Sequence, residues 1–132
     1  MWVPVDLSKI TAPVYLLASR EDHIVPWKTA YGSQALLGGD ARFVLAASGH
    51  VAGVINPPAR NKRSYWVNDE LAADAEGWVE TAQEVSGSWW PDWDAWMKAR
   101  STGTGAAPVV LGNTEYPIIE PAPGRYVKLK SN

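Results

Sequence analysis

The sequence predicts an α/β fold built on a parallel sheet, and three observations lead to this prediction. Two short apolar runs, residues 13–18 and 41–47, have the length of strands that are buried on both faces. Between them, apolar residues recur at helical spacing after Pro26, and the pattern stops at Gly38-Gly39. A strand, a helix and a second strand in this order form a crossover unit, which connects neighbouring parallel strands.

The second half of the chain has weaker patterns. Residues 64–68 are predicted as a short strand or extended segment, and helical spacing returns weakly over residues 74–85. A stronger helix is predicted over residues 89–100, with Ser88 as its N-cap and an apolar stripe on one side. The linker that follows leads to a final segment holding four of the ten prolines, which is predicted to be extended and to lie over a surface.

Composition and charge exclude several classes of protein. The 132 residues are 46% hydrophobic and 20% charged, as in a globular domain. A net charge of -2 gives no basic field for nucleic acid, and no apolar run approaches the roughly 20 residues of a membrane-spanning helix. Without cysteine the chain has no disulfide, no thiolate metal site and no thiol nucleophile. Because no signal peptide follows Met1, a cytoplasmic location is predicted.

Asp22 and His50 are the candidate catalytic residues. Each follows directly on a predicted strand, at the sheet edge where open parallel sheets bind ligands. In α/β-hydrolase-type enzymes the catalytic acid and histidine occupy these places, and the carboxylate fixes the tautomer and orientation of the imidazole. Such residues also occur at strand ends by chance, so the spacing alone leaves a purely structural role open.

Several segments of the chain closely resemble the C-terminal catalytic region of class I polyhydroxyalkanoate synthases, and the likeness covers nearly the whole chain. The strings GHVAG and GSWWP are the most specific, because ordinary hydrolases do not share them. The segments that carry the resemblance are 6–10 (DLSKI), 12–15 (APVY), 20–27 (REDHIVPW), 49–58 (GHVAGVINPP), 61–66 (NKRSYW), 87–93 (GSWWPDW), 116–117 (YP) and 122–127 (APGRYV).

The resemblance implies a fold and a reaction. Residues 1–132 would be the C-terminal part of a single α/β-hydrolase-like domain, with the catalytic portion in residues 1–60 and the helical region and tail in residues 61–132. In this family a cysteine attacks the thioester of an (R)-3-hydroxyacyl-CoA, and a hydroxyl then extends the polyester. His50 would be the general base, while Asp22 would orient His50 or assist in activating the hydroxyl. Short-chain substrates such as 3-hydroxybutyryl-CoA and a place at cytoplasmic storage granules are implied.

The departure from the family pattern concerns the nucleophile. No Gly-x-Cys-x-Gly or Gly-x-Ser-x-Gly elbow occurs, so the cysteine is expected upstream in a missing N-terminal part, and the chain alone is expected to be inactive. No cofactor is expected beyond the coenzyme A thioester substrate. An exposed strand edge would favour self-association, so a homo-oligomer is predicted. Two alternatives stay open: a Trp-rich module that binds polymer or granule protein without catalysis, and a fragment of an esterase.

Other residues have a functional and a structural interpretation. His23 could contact the catalytic pair or be a loop residue, and Trp27 and Trp66 could line a substrate entrance or serve packing. Lys62 and Arg63 could bind the phosphates of coenzyme A or lie on a solvated surface. The aromatic stretch 89–96 could stack on polymer, although its spacing favours a core stripe docked on the missing part of the sheet.

Overall fold

The computed structural model describes residues 4–130, and the chain divides into two compact units, Met1–Arg100 and Ser101–Asn132. The first unit contains the strands β1 (Val14–Ser19), β2 (Ala41–Ala46), β3 (Ser64–Val67) and β4 (Gln83–Ser86), and the helices α1 (Trp27–Gly32), α2 (Ala75–Thr81) and α3 (Trp90–Ala99). Within residues 4–130, no helix has the length and hydropathy that a membrane crossing requires.

The sheet has four strands in the order β1-β2-β3-β4. β1 and β2 are parallel and pair from Val14 opposite Ala41 to Ser19 opposite Ala46. This pairing confirms the two strands and the crossover predicted from the apolar runs. β3 and β4 add to the sheet in antiparallel fashion, so the sheet is mixed. In the described chain β1 therefore forms one edge of the sheet.

The core lies between one face of the sheet and the helices α1 and α2. Phe43 and Leu45 of β2 are fully buried, and the ring of Phe43 meets Tyr31 of α1 and Trp78 of α2 edge-on, with centroids 5.0 and 4.9 Å apart. Edge-to-face packing suits the quadrupoles of aromatic rings. The helix predicted after Pro26 is confirmed as α1, which continues into a 3-10 turn over Ser33–Leu36.

Helix α3 lies on the face of the sheet opposite to this core. The strand side chains that contact it alternate along the strand with those that point toward the core. Tyr15 of β1 lies against Trp96 and Trp89, with ring centroids 5.5 and 6.2 Å apart. The predicted stripe is thus only partly buried, since Trp93 and Met97 remain 44% and 42% exposed. Its packing partner is β1, a strand that the chain itself contains.

The region between residues 64 and 90 corrects one prediction and refines another. The strand predicted near residue 64 is confirmed as β3. The helix predicted over residues 74–85 is wrong beyond Thr81, because Gln83–Ser86 pairs with β3 as β4. Ser88 accepts a hydrogen bond at its Oγ from the backbone N–H of Trp90 (3.1 Å), but the N-cap of α3 is Trp89, so the predicted N-cap is wrong by one residue.

The second unit contains little regular structure. In its described residues, 101–130, the only helical element is a 3-10 turn over Tyr126–Lys128. Local hydrogen bonds close its turns: the Asn113 side chain accepts from the N–H of Tyr116 (2.7 Å), and Glu120 binds Arg125. The predicted division of a single domain at residue 60 stays a prediction.

Candidate functional site

Asp22 and His50 are brought together by the parallel pairing of β1 and β2. The two strands match residue for residue over their six positions, so both end at the same edge of the sheet. Backbone hydrogen bonds continue past the strand ends, from the N–H of Arg20 to the carbonyl of Ala46 (2.8 Å) and from Glu21 to Ser48 (3.0 Å). The two loops that follow are thereby held side by side.

The two candidate side chains are in direct contact. His50 Nδ1 lies 2.7 Å from Asp22 Oδ2. The Asp22 side chain is only 9% exposed, whereas that of His50 is 47% exposed. A largely buried carboxylate therefore holds one ring nitrogen of an imidazole that remains open to solvent, which fixes the tautomer that carries the proton on Nδ1.

The other carboxylate oxygen of Asp22 is bound by its own loop. Oδ1 accepts hydrogen bonds from the backbone N–H groups of Ile24 (2.9 Å) and Val25 (3.0 Å). These bonds, that of Val25 first, together with the contact to His50, lower the pKa of Asp22 to about 2, against the opposing effect of burial. The carboxylate is therefore ionised at neutral pH, and its backbone bonds fix its orientation.

The loop that carries His50 has a constrained backbone. Ser48 has a φ of 76°, in the left-handed region that non-glycine residues rarely adopt. Gly53 donates its N–H to the carbonyl of Gly49 (2.8 Å), and a Cβ at Gly53 would lie 2.4 Å from Ser19 Oγ. Only glycine fits at residue 53, so the GHVAG string has a structural reason at this position.

Two indole groups at the start of α3 bind the same loop. Trp89 Nε1 donates to the carbonyl of Gly53 (3.2 Å), and Trp90 Nε1 donates to the carbonyl of Val54 (3.0 Å). Sequence reasoning interpreted these residues as a core stripe or a polymer platform and missed these bonds. No local signal in the sequence predicts these bonds, because each acceptor lies 36 residues away along the chain.

The known proteins to which the chain is similar in sequence include several poly(3-hydroxyalkanoate) polymerases. The chain is 59% identical to the poly(3-hydroxyalkanoate) polymerase subunit PhaC of Cupriavidus necator, over 98% of this chain and 22% of that protein. It is 47% identical to poly(3-hydroxyalkanoate) polymerase 2 of Ectopseudomonas oleovorans, over 94% of this chain and 22% of that protein. For the PhaC subunit of Rhizobium meliloti the identity is 40%, over 96% of this chain and 20% of that protein.

The chain is homologous to a segment of the poly(3-hydroxyalkanoate) polymerases. This confirms the resemblance that the sequence motifs predict. No protein-family model matches the chain. It spans about a fifth of the length of the polymerases that it matches.

Two open cavities flank the His50 loop. The first, of about 340 Å³, is lined by Leu17, Ala18, Ser19, Asp22, Val25, Ala30, His50 and Val54. The second is an apolar cleft of about 250 Å³, lined by Val54, Ile55, Trp89, Trp90 and Trp93. Val54 borders both cavities, so the cleft adjoins the candidate site.

The remaining candidate residues lie outside the cavity beside Asp22 and His50. His23 is exposed, and its ring makes no hydrogen bond within residues 4–130. Trp27 and Trp66 pack against the core, and Arg20 stacks over Trp66 at 4.7 Å, as their structural interpretation predicts. Lys62 and Arg63 are exposed. In the same described range, no group of three His, Cys, Asp or Glu side chains is arranged to hold a metal ion.

Proposed function

We propose that the chain is the C-terminal segment of a class I synthase with an α/β-hydrolase-like catalytic domain, and that it supplies the acid and base for acyl transfer from an (R)-3-hydroxyacyl-CoA. The observation that carries the proposal is the 2.7 Å contact between His50 Nδ1 and Asp22 Oδ2 at the end of two parallel strands. Homology to the polymerases supplies the reaction class.

In this reaction His50 accepts and returns protons at Nε2. Within residues 4–130, no hydrogen bond engages that nitrogen, and the ring is about half exposed. His50 takes the thiol proton of a cysteine as the sulfur attacks the thioester carbonyl, and the coenzyme A thiolate leaves and is protonated. His50 then takes the proton of the attacking hydroxyl, whose oxygen forms the new ester bond while the cysteine sulfur leaves. Asp22 keeps Nδ1 protonated and stabilises the imidazolium.

The nucleophile comes from outside this segment. The chain contains no cysteine, and it spans 22% of the length of the Cupriavidus necator relative. The rest of the synthase is therefore the partner that completes the site, and the segment alone has no acyltransferase activity.

Substrate and location follow from the same family. The motifs near Trp89 and in the tail resemble those of class I synthases, which supports 3-hydroxybutyryl-CoA as the acyl donor and growing polyester as the acceptor. No cofactor is needed besides the coenzyme A carried by the substrate. A polymer that separates from water would hold the synthase at the surface of cytoplasmic granules.

Self-association of the isolated segment is also proposed. Within the described residues, β1 pairs on one side only, with β2. An unpaired edge offers backbone N–H and C=O groups to another strand. We expect dimers or larger species in small-angle scattering, and a monodisperse monomer across the accessible concentration range would contradict this.

A segment swap tests the catalytic proposal. This chain replaces the matching segment of the Cupriavidus necator polymerase, and release of coenzyme A from 3-hydroxybutyryl-CoA is measured. The chimera is expected to be active, whereas His50→Ala lowers kcat by at least about 10³-fold because the general base is lost.

His23→Ala is the matched control, because His23 is the only other histidine and lies exposed beside Asp22. This variant is expected to keep the activity of the chimera. Equal turnover by His50→Ala and His23→Ala would refute the catalytic assignment.

A polymer-binding role without catalysis is the second candidate, and the apolar cleft of Trp89, Trp90 and Trp93 favours it. Sedimentation of the chain with amorphous poly(3-hydroxybutyrate) granules measures it directly. If binding is the only function, Trp93→Ala abolishes sedimentation and His50→Ala leaves the activity of the chimera unchanged.

A further inference from the structure

We propose that Trp90 and Trp89 are positioning residues for His50, and that they act through the hydrogen bonds of their indole N–H groups to the His50 loop. This inference rests on the proposed function, because it takes His50 as the general base. Neither tryptophan touches the imidazole in the contacts of the described residues; both act on the backbone that carries it.

The two bonds hold consecutive carbonyls of one short turn. Gly53 and Val54 accept from the two indoles at 3.2 and 3.0 Å. The same turn is closed by the N–H of Gly53 on the carbonyl of Gly49 (2.8 Å) and by Ile55 on Val51 (2.8 Å). Fixing the carbonyls at residues 53 and 54 therefore fixes a unit of backbone that contains residue 50.

The indoles are themselves attached to a rigid support. Asp92, in the first turn of α3, accepts hydrogen bonds from Tyr15 Oη (2.8 Å) and from Arg42 Nε (3.0 Å) and Nη2 (2.5 Å). Tyr15 and Arg42 lie opposite each other on β1 and β2. The start of α3 is thus attached to the same two strands that carry Asp22 and His50. The His50 loop is therefore connected to the sheet directly, through β2, and also through the two indoles of α3.

Packing alone does not explain why both residues are tryptophan. Both side chains line the apolar cleft beside Val54 and Ile55, a role that a large apolar side chain fills without an N–H group. Trp89 lies against Tyr15, and Trp90 lies edge-on to Trp89 with centroids 6.4 Å apart. Beyond the cleft, what the two side chains have in common is an N–H group that donates to the His50 loop.

Trp90→Phe is the primary variant, because it keeps an aromatic ring and removes only the donor and the second ring. Trp93→Phe is the matched control: Trp93 lines the same cleft, and its indole makes no hydrogen bond within residues 4–130. The readout is the ¹⁵N spectrum of the histidine rings in the chain, which has only two histidines. Wild type and Trp93→Phe should show His50 as a single tautomer with the proton on Nδ1, and Trp90→Phe should show exchange between tautomers.

Kinetics in the segment-swapped synthase give the second readout. Loss of one neutral hydrogen bond corresponds to about a fivefold effect. We expect kcat to fall about fivefold in Trp90→Phe and about 25-fold in the double variant with Trp89→Phe, with KM unchanged. A merely structural role would lower the amount of folded enzyme without altering the His50 tautomer or the pH profile of the folded fraction.

An isosteric variant keeps the test decisive if a phenylalanine variant does not fold. Replacing Trp90 by 3-benzothienylalanine changes the N–H to sulfur and preserves the shape of the indole. A wild-type tautomer and a wild-type kcat in that variant would overturn the proposal. Exchange between tautomers together with a reduced kcat would support it. If the tautomers exchange while His50→Ala leaves turnover intact, the positioning role stands and the proposed function fails.

Discussion

Two aspartates meet basic side chains at opposite ends of β1 and β2. At the start of the strands, Asp92 binds the guanidinium of Arg42 through both carboxylate oxygens and also accepts from Tyr15. At the other end, Asp22 binds one ring nitrogen of His50. Both side chains of the first pair are mostly buried, whereas the second pair combines a buried carboxylate with a half-exposed imidazole.

The difference separates a structural ion pair from one that can transfer protons. The hydrogen bond to Asp92 raises the pKa of Arg42, so this cation never titrates near neutral pH. Burial and the bond to Asp92 also raise the pKa of Tyr15, which keeps its hydroxyl a donor. Of the two basic side chains, His50 is the one that is about half exposed, and within residues 4–130 no hydrogen bond engages its second ring nitrogen.

The largest expected effect comes from Asp22→Asn. The asparagine Oδ1 can keep the two backbone bonds of its loop, but its Nδ2 would donate to His50 Nδ1 and select the wrong tautomer. We expect kcat of the segment-swapped synthase to fall roughly 10⁴-fold with little change in stability. A loss below about tenfold would mean that Asp22 does not orient His50.

The end of the sheet that carries Asp22 and His50 was predictable from sequence, and the end with the Arg42–Asp92 pair was not. Both apolar strands and the residues that follow them are local features, and the motifs around Asp22 and His50 resemble one family. The Arg42–Asp92 pair joins positions that share no local pattern, and β4 forms only because β3 is beside it. Non-local pairing of this kind overrides the weak helical spacing near residue 83.

The second effect concerns stability at the end with the Arg42–Asp92 pair. Asp92→Ala leaves the Arg42 guanidinium and the Tyr15 hydroxyl half-buried without their common acceptor. We expect the free energy of unfolding to fall by about 2–3 kcal/mol in chemical denaturation of the chain.

Asp69→Asn is the matched control for this variant. Asp69 also contacts Arg42, at 3.4 Å, but its side chain is almost fully exposed, so little change is expected. Similar losses in the two variants would show that burial does not distinguish these carboxylates.

Acid titration should reveal the two supports of Asp22 separately. Because its pKa in the folded chain is lowered to about 2, the stabilisation is complete above the ordinary pKa of aspartate and is lost as the pH falls toward 2. The ¹³C carboxyl signal of Asp22 should titrate near pH 2. In His50→Ala the midpoint should rise only part of the way, since the bond from Val25 is the larger cause. A midpoint that returns fully to the ordinary value would assign the shift to His50 alone.

The smallest effect is expected for a third ion pair, which links the two helices on the core face of the sheet. Lys28 of α1 binds Glu76 of α2, and both side chains are more than half exposed. The hydrogen bond from Lys28 lowers the pKa of Glu76, yet solvent screens exposed pairs of this kind. Glu76→Gln should change the melting temperature of the chain by less than about 2 °C, and 1 M salt should remove even that difference. A drop as large as that of Asp92→Ala would mean that pairing itself, rather than the burial of the paired groups, sets the cost of losing a carboxylate in this fold.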